Sequence, residues 1–344
     1  MNWRIPSDGG PHIVTIGGGT GLSTMLRGLK YYSRNLTAVV TMADDGGGSG
    51  VLRQDLGMPP PGDLRNCLQA LANVEPIMEE LLAYRFPEGA LAGQSFGNLF
   101  LAALDGISGS FEEAVARMNQ ILAVTGRVLP VTDNNVNLIA EFENGTSVRG
   151  ESQIYAFKKQ QHCRISRVRL EPERPNALPP VIEAIGQADV IILGPGSLYT
   201  SVIPNLLVSG VVEAIARSQA LRIYIGNIMT QEGETEGYTL SEHIRALLDH
   251  GVPGMIDLCL ANSADIPEDV RVRYRPENAQ PILVDGSAVR ALGVELICEP
   301  LSDETRRYKA RHDPQKLARA ILSVVEDRCV RTWTDQGVRY VREH

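Results

Sequence analysis

His12-Ile13-Val14-Thr15-Ile16-Gly17-Gly18-Gly19-Thr20-Gly21-Leu22 is the stretch on which the fold turns. Its first five residues are mostly apolar and suit a strand covered on both faces. The run stops at the glycines. Leu22, Met25, Leu26 and Leu29 then recur at helical spacing. Strand, glycine loop and helix in that order open an α/β unit. Glycine lets a backbone approach a phosphate closely, and a helix start offers free N–H groups with partial positive charge. Gly17, Gly18, Gly19, Thr20 and Gly21 are therefore candidate phosphate-binding residues.

The same rhythm repeats downstream. Leu36 to Met42 reads as a second strand and runs into Asp44-Asp45-Gly46-Gly47-Gly48-Ser49-Gly50. Asp63, after Pro59-Pro60-Pro61-Gly62, suits the N-cap of a helix through Leu71. A further helix is expected from Phe96 to Leu104, and Ser110 with Glu113 has capping-box spacing. Residues 127–172 read as a β-rich insertion: strands at 128–131, 136–142, 147–154 and 165–170, with Asn144-Gly145 as a hairpin turn. Strands then alternate with helices again: Asp189 to Leu193, Leu221 to Ile225 and Met255 to Leu260, with closing strands at 282–284 and 294–297. Asp313-Pro314 begins a last amphipathic helix. The alternation argues for a doubly wound, mainly parallel sheet. The organisation expected is a leader at 1–11, one nucleotide-binding domain at 12–326 and a tail at 327–344.

In an open parallel sheet the carboxyl ends of the strands flank the ligand crevice. Several loops at such ends carry polar and small residues. Asp44 and Asp45 follow the second strand, where an acid meets a ribose hydroxyl in dinucleotide folds. Acids beside glycines also suit Mg²⁺, and both roles stay open, with Asp45 the metal ligand if there is one. Gly194, Gly196 and Ser197 form a second phosphate cradle, with Ser197 equally suited to capping a helix. Asn227 ends the next strand, and Asn98 sits at a helix start. No nucleophile–base–orienter set is visible, and the histidines lack metal-ligand spacing. A strict dinucleotide fingerprint would need glycine where Leu22 stands, which disfavours a nicotinamide-dependent oxidoreductase.

The totals narrow the class. A formal net charge of −8 without a long basic run excludes an ordinary nucleic-acid binder. Five widely spaced cysteines contain no C-x-x-C pair, so zinc is not expected and reduced thiols are. No apolar stretch reaches the roughly 20 residues that span a bilayer, and no signal-peptide core opens the chain. A cytoplasmic protein without membrane or nucleic-acid partners is expected, with a homo-oligomer as the default assembly.

The motifs together resemble one family. Ile16 to Gly21, Asp44 to Gly50 with Leu52-Arg53, Pro61-Gly62-Asp63-Leu64-Arg65, Ser95 to Leu99 and Leu193 to Ser201 are similar to the YvcK-type gluconeogenesis factors. These lie within the superfamily of the 2-phospho-lactate transferases, CofD. The resemblance implies a Rossmann-like core. It implies binding of UDP-activated sugars such as UDP-N-acetylglucosamine, and a regulatory role in cell shape and growth on gluconeogenic carbon sources through an unidentified protein partner. It implies that Tyr274 stacks on the base and that Arg311 meets the diphosphate. No cofactor is required on this reading; Mg²⁺ would enter with the nucleotide. The alternative is an Mg²⁺-dependent phosphotransferase. Related chains carry a phosphorylatable threonine where this one has Pro314, so control by a kinase there is not expected.

Overall fold

The computed structural model describes residues 9–161, 163–304, 308–334 and 337–342. The leader's first eight residues therefore lie outside it. Twelve strands occur among the described residues: β1 Ile13–Gly17, β2 Leu36–Val40, β3 Arg127–Pro130, β4 Asn137–Phe142, β5 Ser147–Arg149, β6 Ile165–Glu171, β7 Val190–Leu193, β8 Leu221–Ile225, β9 Leu258–Asn262, β10 Glu295–Glu299, β11 Cys329–Thr334 and β12 Gly337–Arg342. Seven form one parallel sheet in the order β10-β9-β8-β7-β1-β2-β3. Helices flank it, giving the expected Rossmann-like α/β fold. β1 and β7 are buried along their whole lengths, as their apolar runs require.

The order fixes the crevice. From β1 the chain builds outward through β2 and β3, then returns to place β7 on β1's other side. Strand order reverses between β1 and β7, and ligands bind at such switch points. The loops 17–21 and 194–197 leave these two strands at their carboxyl ends. Helix Gly19–Leu29 packs on helices Gly62–Leu71 and Pro314–Arg328, so the first loop is anchored from both sides. Asp313 caps the last helix through Gln315 N and Lys316 N at 2.8 Å each.

Several boundaries differ from the sequence reading. β3 pairs in parallel with β2 and belongs to the main sheet. The separate antiparallel sheet is β5-β4-β6 alone. The strand expected at 147–154 ends at Arg149. Gly150 takes φ +94°, and Glu151–Gln161 is a helix instead. Its acid at the start and Lys158–Lys159 in the last turn suit the helix dipole. Residues 282–284 form no strand of the sheet; Pro281 and Leu283 make only isolated bridges, to Met229 and Thr239. Asp63 is not an N-cap: Pro61 holds that place, and Asp63 lies in the first turn. Gly47–Leu56 is helical, because a glycine-rich tract masks the period that names a helix. The tail holds the β11–β12 hairpin. No helix among the described residues is long and apolar enough to cross a membrane.

Candidate functional site

A cleft of about 440 Å³ opens over the switch point. Gly18, Gly19, Thr20 and Gly21 form one wall, with Thr24 one turn along the helix. Gly19 takes φ +67°, which a side chain would strain. A Cβ on Gly21 would meet the Pro195 carbonyl at 2.5 Å, so that glycine lets the two loops touch. Gly18 is the N-cap and no side chain caps the helix. The amides of its first turn are thus open to an anion, apart from Gly19 N–H, which donates to Asp63.

The second loop is pinned rather than free. Asn227 Nδ2 donates to Gly196 O at 2.8 Å, and Gly196 N donates to Asn227 Oδ1 at 3.2 Å. Both polar atoms of Asn227 hold the cradle in place while the residue lines the cleft. Ser197 stands at the N-cap of the short helix Leu198–Val202, but its side chain makes no capping bond; its hydroxyl donates to Gln231 Oε1 at 2.7 Å. Gly194 takes φ +76° at the start of the turn.

Tyr274 and Arg311 reach the same cleft from elements far apart in the chain. Tyr274 ends helix Glu268–Tyr274, and its hydroxyl accepts from Ala310 N at 3.0 Å. That bond ties the ring to the segment carrying Lys309 and Arg311. Both cations line the cleft, and neither is paired among the described residues. An acidic protein thereby presents two unpaired cations to an uncapped helix start. His312, also in the lining, is buried, and burial holds its imidazole down to about 4, so it is neutral. Its Nε2 has no partner.

Five predicted site residues lie outside this lining: Gly17 at the end of β1 and Gly194 just after β7 border it, and Asp45, Asp44 and Asn98 are engaged elsewhere. Asp45 is turned to the helix that follows β5: Ser152 N and the Ser152 hydroxyl donate to its Oδ1. Asp44 accepts Gly46 N at 2.9 Å and lines a neighbouring pocket. Asn98 is buried and accepts Arg65 Nε at 3.3 Å, inside a support network beneath the loops. Among the described residues no three His, Cys, Asp or Glu side chains converge to hold a metal ion.

The neighbouring pocket, about 260 Å³, contains residues that no sequence motif marked. Asp44, Glu151 and Glu234 line it with Thr200, and Tyr155 and Gln231 belong to both pockets. Glu234 Oε1 accepts Tyr199 N at 2.6 Å and Thr200 N at 2.9 Å. Burial still pushes its carboxyl up to about 7. Asp63 behaves alike: burial and Asp44 raise it to about 7 against the Gly19 amide bond. Burial, then Asp44 and Asp63, push Glu151 up. Glu151 and Glu234 come from separate elements far from the glycine motifs, so spacing in the chain carries no sign of them, whereas Asp44 and Asp63 stand in motifs.

Comparisons with known proteins bear on the fold and the family. The family model for 2-phospho-L-lactate transferase CofD matches residues 13–302. The gluconeogenesis factor of Bacillus subtilis is 46% identical over 321 residues, covering 92% of this chain and 99% of that protein. The gluconeogenesis factor of Halalkalibacterium halodurans is 47% identical, covering 90% and 95%. A crystal structure of protein BH3568 from Bacillus halodurans superposes with a TM-score of 0.87 at 47% identity, covering 91% and 99%. The family match over residues 13–302, the identities and the near-complete coverage mean that this chain belongs to the gluconeogenesis factor family, within the CofD group.

Proposed function

We propose that this protein is a regulatory binder of a uridine-diphosphate sugar such as UDP-N-acetylglucosamine. The observation that carries the reading is the cleft at the switch point. It combines an uncapped helix start, the unpaired Lys309 and Arg311, and the Tyr274 ring. A diphosphate needs the first two and a base stacks on the third. Gly17 to Gly21 and Arg311 would hold the diphosphate. Gly194, Gly196 and Asn227 would shape the floor. Mg²⁺, where present, would travel with the phosphates. Binding would bias two conformations of the chain, by as much as its affinity for them differs. A protein partner in the cytoplasm would read the outcome. The relatives' name, gluconeogenesis factor, supports a role in growth on gluconeogenic carbon, and this reading adds a consequence for cell shape.

A phosphotransferase is the second reading, and one observation favours it. Asp63 and Glu234 have carboxyls near neutrality beside the phosphate loop, where a general base for an acceptor hydroxyl would sit.

A thermal-shift screen separates the two. UDP-N-acetylglucosamine, UDP-glucose, UDP, GTP and NAD are added with and without Mg²⁺. A ligand at 100 times its Kd adds about 2.7 kcal/mol to stability. A selective shift with UDP-sugars supports the binder. A shift confined to GTP with Mg²⁺, followed by turnover on an acceptor panel, supports the transferase. No shift with any of them overturns the nucleotide reading.

A further inference from the structure

A pocket of about 250 Å³ lies at the amino ends of β1, β2 and β3, the end of the strands opposite the glycine loops. The residues that open these strands, Ile13, Leu36 and Arg127, line it. Its lining contains two arginines, Arg34 and Arg127, and no carboxylate. The acids nearby are already engaged: Asp189 pairs with Arg339, and Asp257 with Arg222 and Arg342. Arg34 and Arg127 are the surplus, since neither pairs with a carboxylate among the described residues. In a chain of net charge −8, such a pair does not come from a general excess of cations.

The pocket is also held in shape. Arg127 Nε donates to Thr37 Oγ1 at 3.1 Å, which fixes the guanidinium and leaves its Nη groups available. Gly126 takes φ +78°, and a Cβ on it would meet Leu36 O at 2.2 Å, so glycine lets the start of β3 close against β2. Arg34 stands in the connection between helix Gly19–Leu29 and β2. That connection is tied to the segment before β1: Arg34 N donates to Gly9 O at 2.7 Å, the buried Ser33 hydroxyl to Pro11 O at 2.8 Å, and Asn35 Nδ2 to Gly10 O at 2.7 Å. Walls fixed in advance lose little freedom when a ligand binds.

The chemistry of the lining selects the ligand. Two guanidinium groups from separate elements suit one doubly charged anion, which each meets with paired N–H groups. His12 lines the same space and carries a ring N–H in either tautomer. Gln187, also in the lining, donates to Glu183 Oε1 at 3.1 Å and keeps its amide oxygen for a hydroxyl. The volume falls below the roughly 300–1,000 Å³ of sites that enclose drug-sized ligands, so it suits a compact molecule rather than a nucleotide. We propose that this pocket is a second anion site, which takes the phosphate group of a small hydroxylated phosphate ester between Arg34 and Arg127. The inference does not depend on what occupies the cleft.

Nitrogen-15 labelling of the histidines tests it in the full-length chain, because His12 lines this pocket and His312 lines the cleft. Spectra are recorded at fixed pH while glycerol 3-phosphate, inorganic phosphate, succinate or glycerol is added, and His12→Gln assigns the His12 resonance. Glycerol 3-phosphate should move that resonance saturably and bind about tenfold tighter than inorganic phosphate or succinate, through its extra hydrogen bonds. Glycerol should not move it. Arg34→Gln and Arg127→Gln should each weaken the His12 response about tenfold and leave the His312 response unchanged. Circular dichroism and thermal midpoints show that the two variants are folded. A still His12 resonance with every anion, or a response that survives both variants, overturns the site. Equal affinity for glycerol 3-phosphate and inorganic phosphate overturns the ester and leaves free phosphate as the ligand. Movement of His312 alone places all anion binding in the cleft, which overturns this pocket and leaves the nucleotide reading intact.

Discussion

The two ends of the central sheet are built on opposite principles. At the amino ends two carboxylates are matched by arginines. Asp189, just before β7, accepts His12 N at 2.9 Å and Arg339 Nε at 2.6 Å. Asp257, just before β9, accepts Arg222 N, Nε and Nη2 at 2.9, 2.9 and 2.7 Å, and Arg342 Nη1 at 2.8 Å. Burial would raise the Asp257 carboxyl, but the two arginines hold it below its ordinary value. The β11–β12 hairpin supplies two of these cations, so the carboxyl-terminal segment ties the amino ends of the strands together. At the carboxyl ends the opposite holds. A helix start lacks a cap, two cations lack partners, and the acids carry raised carboxyls. At one end the carboxylates are satisfied by their own chain. The other is left unsatisfied by the described residues, as the proposed ligand site requires.

That contrast can be broken by exchanging what is lost at each end. The largest effect on stability is expected from Asp257→Ala. It strands the poorly exposed Arg222 without its carboxylate, which costs about 3–5 kcal/mol. Chemical denaturation reads the loss, and nucleotide affinity should not change in the fraction that stays folded. Coupled loss of both would show that the two ends are not separate. Gly19→Asp is the mirror case. The φ of +67° costs a side chain about 1 kcal/mol, and the new charge faces the site of the phosphates. Affinity for UDP-sugars should fall more than about 100-fold, or about 2.7 kcal/mol, with only a modest drop in thermal midpoint. Retained binding would remove the loop from the site.

Smaller effects sharpen the picture. Glu234→Gln should stabilise the free protein at pH 8. The folded carboxyl titrates at about 7 against an ordinary 4.5. Protonated Glu234 thus favours the fold at low pH, and that contribution is lost as pH rises through about 7. The gain from Gln is on the order of 3 kcal/mol at pH 8 and disappears below about pH 4.5. Thermal melts of both proteins across that window measure it, and a gain independent of pH would place its cause elsewhere. Arg311→Lys keeps a cation but loses the planar fork, so about a tenfold loss in UDP affinity is expected. An unchanged Kd would show that Arg311 acts only as a point charge.

How far the chain could be read follows from where each signal lies. β1, its glycine loop and the helix after it are contiguous, and their period is unbroken, so they were legible. The helix at Glu151–Gln161 was not, because its apolar residues do not keep to one face and a strand pattern fits them as well. Asp45 stood in a motif beside glycines and looked like a ligand residue, yet Ser152, 107 positions away, occupies it. Asn98 stood at a helix start and was expected near the crevice, yet it is buried and bonded to Arg65 instead.

The sequence by itself determined the parallel α/β architecture, the glycine loops and the family, since each depends on residues adjacent in the chain or on motifs in order. Only the fold in space brings particular polar residues to the walls of the cleft and the pocket beside it. Glu151, Glu234 and Tyr155 become one wall only when the insertion's helix and the loop after β8 fold against the main sheet. Burial and mutual repulsion then shift their chemistry, and those depend on distance in space rather than along the chain.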